Sequence, residues 1–331
     1  MSLGLPHPLV QELEKSHTVL VGSAGTGTAF GAITALRRYW SGSLAIVSMD
    51  INPRHLVTAS ILSNSFEQVP LTASPEFSAA LFRVIQDYRV DTYLPLLPDE
   101  VALAAKLLQA GSLPPCFSLL AGSADSSETA ADKWLTAQWL ARNGLNGPRT
   151  SLATGPFSAG KYFLKPRRGT GSRGARVVTA TELAEAVRAQ PYRWVVQEIC
   201  EGPEVTVDAF FDPDTGFCRA VGRERIEIKA GVSTKARLFV DERLQELSKE
   251  LATELAFAGS FCFQVMRVNG DWAVIDINLR PGAATAMCAL TGNDFFAATF
   301  ARAWRQNYTR FFQPFERDVF VTRQYAEFIT G

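Results

Sequence analysis

Histidine is nearly absent from this chain of 331 residues: there are three, at positions 7, 17 and 55. Imidazole-based zinc sites and Ser-His-Asp triads therefore have nothing to draw on beyond the start of the chain. Cysteine is scarce as well. The five, at 116, 200, 218, 262 and 288, form no CxxC pair and are odd in number. That argues against a disulfide framework and fits reduced thiols in a cytoplasmic protein. Neither sign of charge is in excess, since Lys+Arg and Asp+Glu are both 33. A general nucleic-acid or membrane-surface binder usually carries a basic surplus, so neither partner is expected. No apolar run reaches the roughly 18 residues that a membrane helix needs. The start shows no basic segment followed by an apolar core, so no secretory signal is expected. What remains is the composition of a globular chain, 47% hydrophobic and 20% charged, long enough for two or three packed units.

Periodicity divides the chain. Thr18 to Val21 reads as a short apolar strand running into the glycine-rich turn Gly22-Ser23-Ala24-Gly25-Thr26-Gly27, with a helix to about Tyr39. Strands at 44–49, 92–96 and 116–120 alternate with helices at 77–88 and 101–108. Alternation of this kind implies a parallel sheet with helices on its faces, and the first unit is placed at residues 1–125. The segment 122–128 reads as a linker or helix lead-in, and a helix over 131–142 stops at Asn143-Gly144. The pattern then changes to strands at 162–165, 175–178 and 194–198, with a helix at 182–189. Hairpins follow at 204–211/218–227 and at 261–268/272–277, the second about Asn269-Gly270, with a helix at 243–257 between them.

Three glycine-rich signals compete for a phosphate. Gly155 to Tyr162 nearly spells a Walker A loop, but Tyr162 stands where a hydroxyl would meet magnesium and Pro156 removes a donor. Gly22, Gly25 and Gly27 lie between strand and helix, with Asp50 ending the next strand, as a dinucleotide fingerprint requires. Phe30 displaces the third glycine to Gly31. A tight turn that packs the first helix explains these residues equally well, and a helix N-terminus there also suits an anionic substrate. The third signal runs through Arg167, Arg168, Gly169, Thr170, Gly171, Ser172, Arg173 and Gly174, between the strand that ends Phe163-Leu164-Lys165-Pro166 and a second strand. A glycine hairpin of this kind can fold over phosphates while Lys165 reaches them from the entering strand.

Further along, Asp276, Asn278 and Arg280 alternate and so project from one face of a strand. Gln264, on the preceding strand of the hairpin, can point to the same place. Oxygen donors from Gln, Asp and Asn suit magnesium, which takes few protein ligands and keeps phosphate and water.

With these pieces in order the chain resembles the ATP-grasp superfamily, and within it the ligases related to carbamoyl phosphate synthase and biotin carboxylase. The resemblance covers roughly residues 18–300. It rests on Asp132-Lys133, on Phe163 to Pro166 with the glycine hairpin, on Val195 to Glu204, on Asp276 to Arg280, and on Thr291-Gly292-Asn293. It implies an α/β and α+β architecture. A Rossmann-like pre-ATP-grasp domain (1–125) would precede a two-lobed ATP-grasp fold, the first lobe with the hairpin (126–197) and the second with the metal site (198–331). It further implies that Lys133, Lys165, Gly169, Gly171, Ser172 and Gly174 hold ATP phosphates, with the lysines reaching phosphates or adenine. Gln197 and the backbone of Glu198 and Cys200 would hold adenine, and Glu204 the ribose. Gln264, Asp276 and Asn278 match magnesium ligands, where manganese would substitute. Arg280 matches the arginine that steadies the γ-phosphate and an acyl phosphate. Asp276 stands where Glu is commoner and Leu279 where Pro is usual, which puts a second metal in doubt.

The expected function is an ATP- and magnesium-dependent ligase that phosphorylates a carboxylate and transfers the acyl group to an amine, releasing ADP and phosphate. Its partners are small-molecule acid and amine substrates, and a homodimer is the expected assembly. Within the basic segment 223–237, Lys235 or Arg237 is expected at phosphate or substrate, against a reading as solvated strand charges. Three alternatives stay open: bicarbonate phosphorylation giving a carbamoyl-phosphate-type product, an NAD-dependent oxidoreductase using the N-terminal glycine turn, and an ATP-binding regulator without turnover.

Overall fold

The computed structural model describes residues 16–40, 42, 44–154, 157–169, 173–190, 192–324 and 326–330. The first unit is a parallel sheet of β1 (His17–Val21), β2 (Leu44–Asp50), β3 (Ser65–Gln68), β4 (Thr92–Leu94) and β5 (Ser118–Leu119), in the order β3-β2-β1-β4-β5. Val19, Leu20 and Val21 are all fully buried, as expected of a strand covered on both faces. The connecting helices are α1 (Gly27–Tyr39), α2 (Phe77–Asp87) and α3 (Pro98–Gln109). The Thr26 hydroxyl caps α1 by accepting from the Ala29 amide at 3.2 Å.

Two helices follow where one helix and a linker were expected: α4 (Ala124–Ala131) and α5 (Lys133–Arg142). Ser123 caps α4 by accepting from the Ser126 amide, so the polar stretch starts a helix. Asp132, in extended conformation, breaks the run and restarts it, accepting from the Trp134 and Leu135 amides at 3.0 and 3.3 Å.

A four-stranded antiparallel sheet comes next, made of β6 (Thr150–Leu152), β7 (Lys161–Pro166), β8 (Arg176–Thr179) and β9 (Trp194–Gln197) in the order β6-β9-β7-β8. It is backed by α6 (Ala180–Ala189) and carries the glycine hairpin between β7 and β8.

The largest sheet has six antiparallel strands, in the order β14-β13-β10-β11-β12-β15. These are β10 (Glu201–Asp212), β11 (Phe217–Lys229), β12 (Val232–Phe239), β13 (Gly259–Val268), β14 (Asp271–Asn278) and β15 (Val319–Thr322), with helices α7 (Glu242–Glu254) and α8 (Phe295–Ala303). Asn269 and Gly270 both take positive φ (51° and 85°), so the Asn-Gly turn joins β13 to β14 as the sequence predicts. Among the described residues, no helix is long and apolar enough to cross a membrane.

Packing links these units unequally. One core joins α1 and β1 of the first sheet to α8 and to Phe210 and Val221 of the large sheet. A second core covers the other face of the large sheet and takes in Ala130 of α4 and Leu140 of α5. The four-stranded sheet has only its own small core, around Leu164, Val178, Leu183 and Val196.

Candidate active site

A cavity of about 1010 Å³ opens between the four-stranded sheet, the large sheet and the glycine turn of the first unit. Antiparallel pairing builds its floor. Gln264 is the cross-strand partner of Asp276 and of Thr206, and Thr206 is the partner of Arg223. One row of polar side chains thus runs Asp276, Gln264, Thr206, Arg223 across four strands, all on the cavity wall. Asn278 lies two residues beyond Asp276 on the same face and donates to its Oδ2 at 3.1 Å. Arg280 extends the line, with Nη1 donating to the Pro281 carbonyl at 3.0 Å.

Two lysines meet this row. Lys165 of β7 reaches across to donate to the Ile275 carbonyl at 2.9 Å. Burial, helped by Lys133 and opposed by Asp276, brings its ammonium down to about 8. Lys133, at the start of α5, is 3.5 Å from Asp276 Oδ1 and donates to the Gly169 carbonyl at 3.0 Å. It therefore ties the glycine hairpin to the acidic end of the row. A salt-bridge cluster holds this arrangement. Arg167, at the root of the hairpin, binds both oxygens of Asp132 (2.9 and 2.7 Å), and Arg168 binds Asp132 and Glu128. Burial alone would raise the Asp132 carboxyl, but Arg167 and the two α5 amides outweigh it and hold it below its ordinary value.

At the far end, Gln197 donates to the Thr150 hydroxyl at 2.8 Å, and the Glu198 amide is spent on the Arg149 carbonyl at 3.0 Å. The Glu198 carbonyl accepts from the Cys200 thiol at 3.9 Å, and both residues line the cavity.

A family model described as an ATP-grasp domain matches residues 130–284. The chain carries an ATP-grasp domain. Solved structures agree on the fold. An L-amino acid ligase from Bacillus licheniformis superposes with a TM-score of 0.68 at 15% identity, over 88% of this chain and 75% of that one. N5-carboxyaminoimidazole synthetase from Staphylococcus aureus, complexed with ADP, gives 0.70 at 13% identity, over 92% and 81%. The biotin carboxylase domain of Hydrogenobacter thermophilus 2-oxoglutarate carboxylase, with MgADP and bicarbonate, gives 0.69 at 15%, over 88% and 70%. At these identities the likeness is one of fold. No curated protein sequence matches the chain.

In this ATP-grasp domain the structure brings together Lys133, Lys165, Gly169, Gln197, Glu198, Cys200, Glu204, Gln264, Asp276, Asn278 and Arg280 on one cavity wall. Gly174 stands at the root of β8 in a left-handed conformation (φ 81°), where a Cβ would meet Pro166 at 3.3 Å. Gly171 and Ser172 lie outside the described residues, as do Gly155 and Pro156 of the Walker-like stretch. Glu204, expected at a ribose, accepts from Gln264 Nε2 at 2.6 Å and is bound by Arg225.

Lys235 is not on the cavity wall: it is half-exposed and pairs at 3.0 Å with Glu227 of the neighbouring strand. Arg237 likewise pairs with Glu224 and Asp318. From the basic segment it is Arg223 and Arg225 that reach the cavity. Arg223 is buried against Asp208 at 2.9 Å, and Asp208 also accepts from Thr285. Burial works to lower Arg223, yet Asp208 raises it, so the guanidinium stays charged in the floor. No sequence spacing pairs residues 208 and 223; their proximity follows from the β10–β11 register.

The N-terminal glycine turn is filled from within. The Gly25 amide donates to Asp50 at 2.6 Å, and Ser23, Tyr93 and the Leu96 amide all donate to Glu100. A Cβ at Gly22 would lie 1.7 Å from Glu100 Oε1, so glycine is required there by a close approach. Asp50, which a dinucleotide reading would place on a ribose, is committed to the turn.

Proposed function

We propose that the chain is an ATP- and magnesium-dependent ligase that joins a carboxylate to an amine with release of ADP and phosphate. The observation that carries this reading is the convergence of Lys133, Lys165, Asp276, Asn278 and Arg280 on one wall. The donors fit the groups they would hold. Gln264, Asp276 and Asn278 offer side-chain oxygens within one small patch, a set that suits magnesium, and among the described residues no cluster of three His, Cys, Asp or Glu competes for a softer metal. Bound there, magnesium supplies charge neutralisation to the phosphates.

The chain's own residues do the rest. Lys133 and Lys165, with the hairpin amides, bind the phosphates and stabilise the negative charge of the transferring phosphoryl group. A carboxylate is a poor electrophile, so its oxygen takes the γ-phosphoryl group, with ADP as the leaving group. Arg280 orients that carboxylate and the resulting acyl phosphate. The hairpin covers it, which excludes water. The amine nitrogen then attacks the carbonyl carbon, the bond from that carbon to the phosphate-bearing oxygen breaks, and phosphate leaves. The related folds include an amino acid ligase and a synthetase with bound ADP, which supports this reaction class.

The test is ADP release on a panel of acids and amines with MgATP. Wild-type protein should release ADP in an acid-dependent manner, and Asp276→Ala should not. Equal release by both proteins would sink the assignment. Binding of NAD in place of MgATP would favour the oxidoreductase alternative, against which the commitment of Asp50 to Gly25 counts.

A further inference from the structure

The proposed phosphate ligand Lys133 and the proposed metal ligand Asp276 hold each other. The Lys133 ammonium lies 3.5 Å from Asp276 Oδ1, and both side chains are half-buried, so water screens the pair only in part. Resting on the ligase reading, we infer that Lys133 is a counter-cation that bars a divalent ion from Asp276 until nucleotide phosphates draw it away. Metal and nucleotide then bind together, and neither loads well alone.

Charge supports this role. Asp276 is the one carboxylate among the proposed metal donors, so an ammonium on it takes up the charge that a divalent ion needs. Its other oxygen accepts from Asn278 Nδ2 at 3.1 Å. The surroundings are cationic as well. Lys165 and Arg173 stand on the same cavity wall, and Arg280 approaches Asn278 at 3.4 Å. Glu204, which also lines the cavity, is already bound by Arg225 and Gln264. A free divalent ion is repelled by such a group, whereas a metal that arrives with phosphates brings the missing negative charge.

Lys133 is also placed to change partners. It is the first residue of α5, where the helix dipole disfavours a cation, and the first turn holds no acidic residue. Its ammonium is kept there by Asp276 and by the Gly169 carbonyl at 3.0 Å. Its backbone is fixed by the Asp132 cap and by the bond from its own amide to the Arg167 carbonyl at 2.9 Å. The flexible four-carbon stem can therefore carry the ammonium to a phosphate while α5 stays in place. Metal and nucleotide affinities become coupled, and the coupling is reciprocal. Direct bonds from phosphate to metal add to it, and Lys133 accounts for the share that a neutral side chain at 133 removes.

The test measures binding of manganese ion to the full chain by electron paramagnetic resonance, first with the ion alone and then with ADP. Without ADP, Lys133→Met should bind the ion about tenfold more tightly than the wild type. Lys133→Gln should do the same, and Lys133→Arg, which keeps the charge, should not. Adding Asp276→Asn to Lys133→Met should remove the gain. ADP should raise manganese affinity by a factor about tenfold smaller in Lys133→Met than in the wild type. Unchanged or weaker binding of the ion alone by K133M and K133Q overturns the inference and leaves the ligase reading standing. A gain that K133R shares, or one that survives D276N, overturns it equally. Wild-type protein that takes up no manganese even with ADP overturns the magnesium–nucleotide reading itself.

Discussion

Asp276 is the only carboxylate in the proposed donor set, and its neighbours Gln264 and Asn278 contribute neutral oxygens. Such a set carries little charge for two divalent ions, so manganese titration followed by electron paramagnetic resonance, with ADP present, should give one ion per chain. Gln264→Glu adds a second carboxylate opposite Asp276 and should raise that number to two. Asp276→Ala or Asn278→Ala should lower ADP release by about a hundredfold or more, with the circular dichroism of the wild type retained. Lys165 gives the pH signature. Its ammonium is charged below about 8 and neutral above, so MgATP affinity should fall as pH rises through that value. Lys165→Arg, which stays charged, should flatten the profile, and an equal fall in both proteins would assign the titration elsewhere. At this scale the sequence was most informative where side chains alternate on one strand, as at 276, 278 and 280. It said less about Lys235, because the partner that engages it, Glu227, lies across a strand pair whose register carries two irregularities.

Between helix α5 and the glycine hairpin, one buried carboxylate links two elements. Asp132 is fully buried, caps α5 and binds Arg167 and Arg168. Asp132→Ala removes the cap and leaves Arg167 without its carboxylate and Arg168 with Glu128 alone, which should cost about 2–4 kcal/mol in urea unfolding. Because the folded carboxyl is held below its ordinary value, this contribution is present at neutral pH and is lost as pH falls through the carboxylate range. Elements with one clear period were legible: β1, α1, the Asn-Gly hairpin and α7. Helix α8 (Phe295–Ala303) was not, since its residues from Phe295 to Ala301 are all buried and leave no polar face to betray a helical period. Nor was the short edge strand β15, whose place is set by pairing with β12 far back in the chain. The α4–α5 break was hidden because Asp132 belongs equally well inside a polar helix lead-in.

Across the whole molecule, the shared core of α1, α8 and the large sheet makes the first unit and the second lobe unfold together. Phe300→Ala, at a fully buried position in that core, should cost about 3–5 kcal/mol and lower a single calorimetric transition. Two separated transitions would show that the units are independent. The four-stranded sheet, with its own small core, should exchange amide hydrogens faster than β10 and β13, and MgATP should slow it. That division of labour, a fixed floor and a separately packed cover, suits chemistry in which an acyl phosphate must be shielded. The most direct measurement of that chemistry uses the acid that gives the fastest ADP release, labelled with ¹⁸O in its carboxylate. Ligation through an acyl phosphate transfers one labelled oxygen to the released phosphate. Unlabelled phosphate formed alongside ADP and ligated product would contradict it.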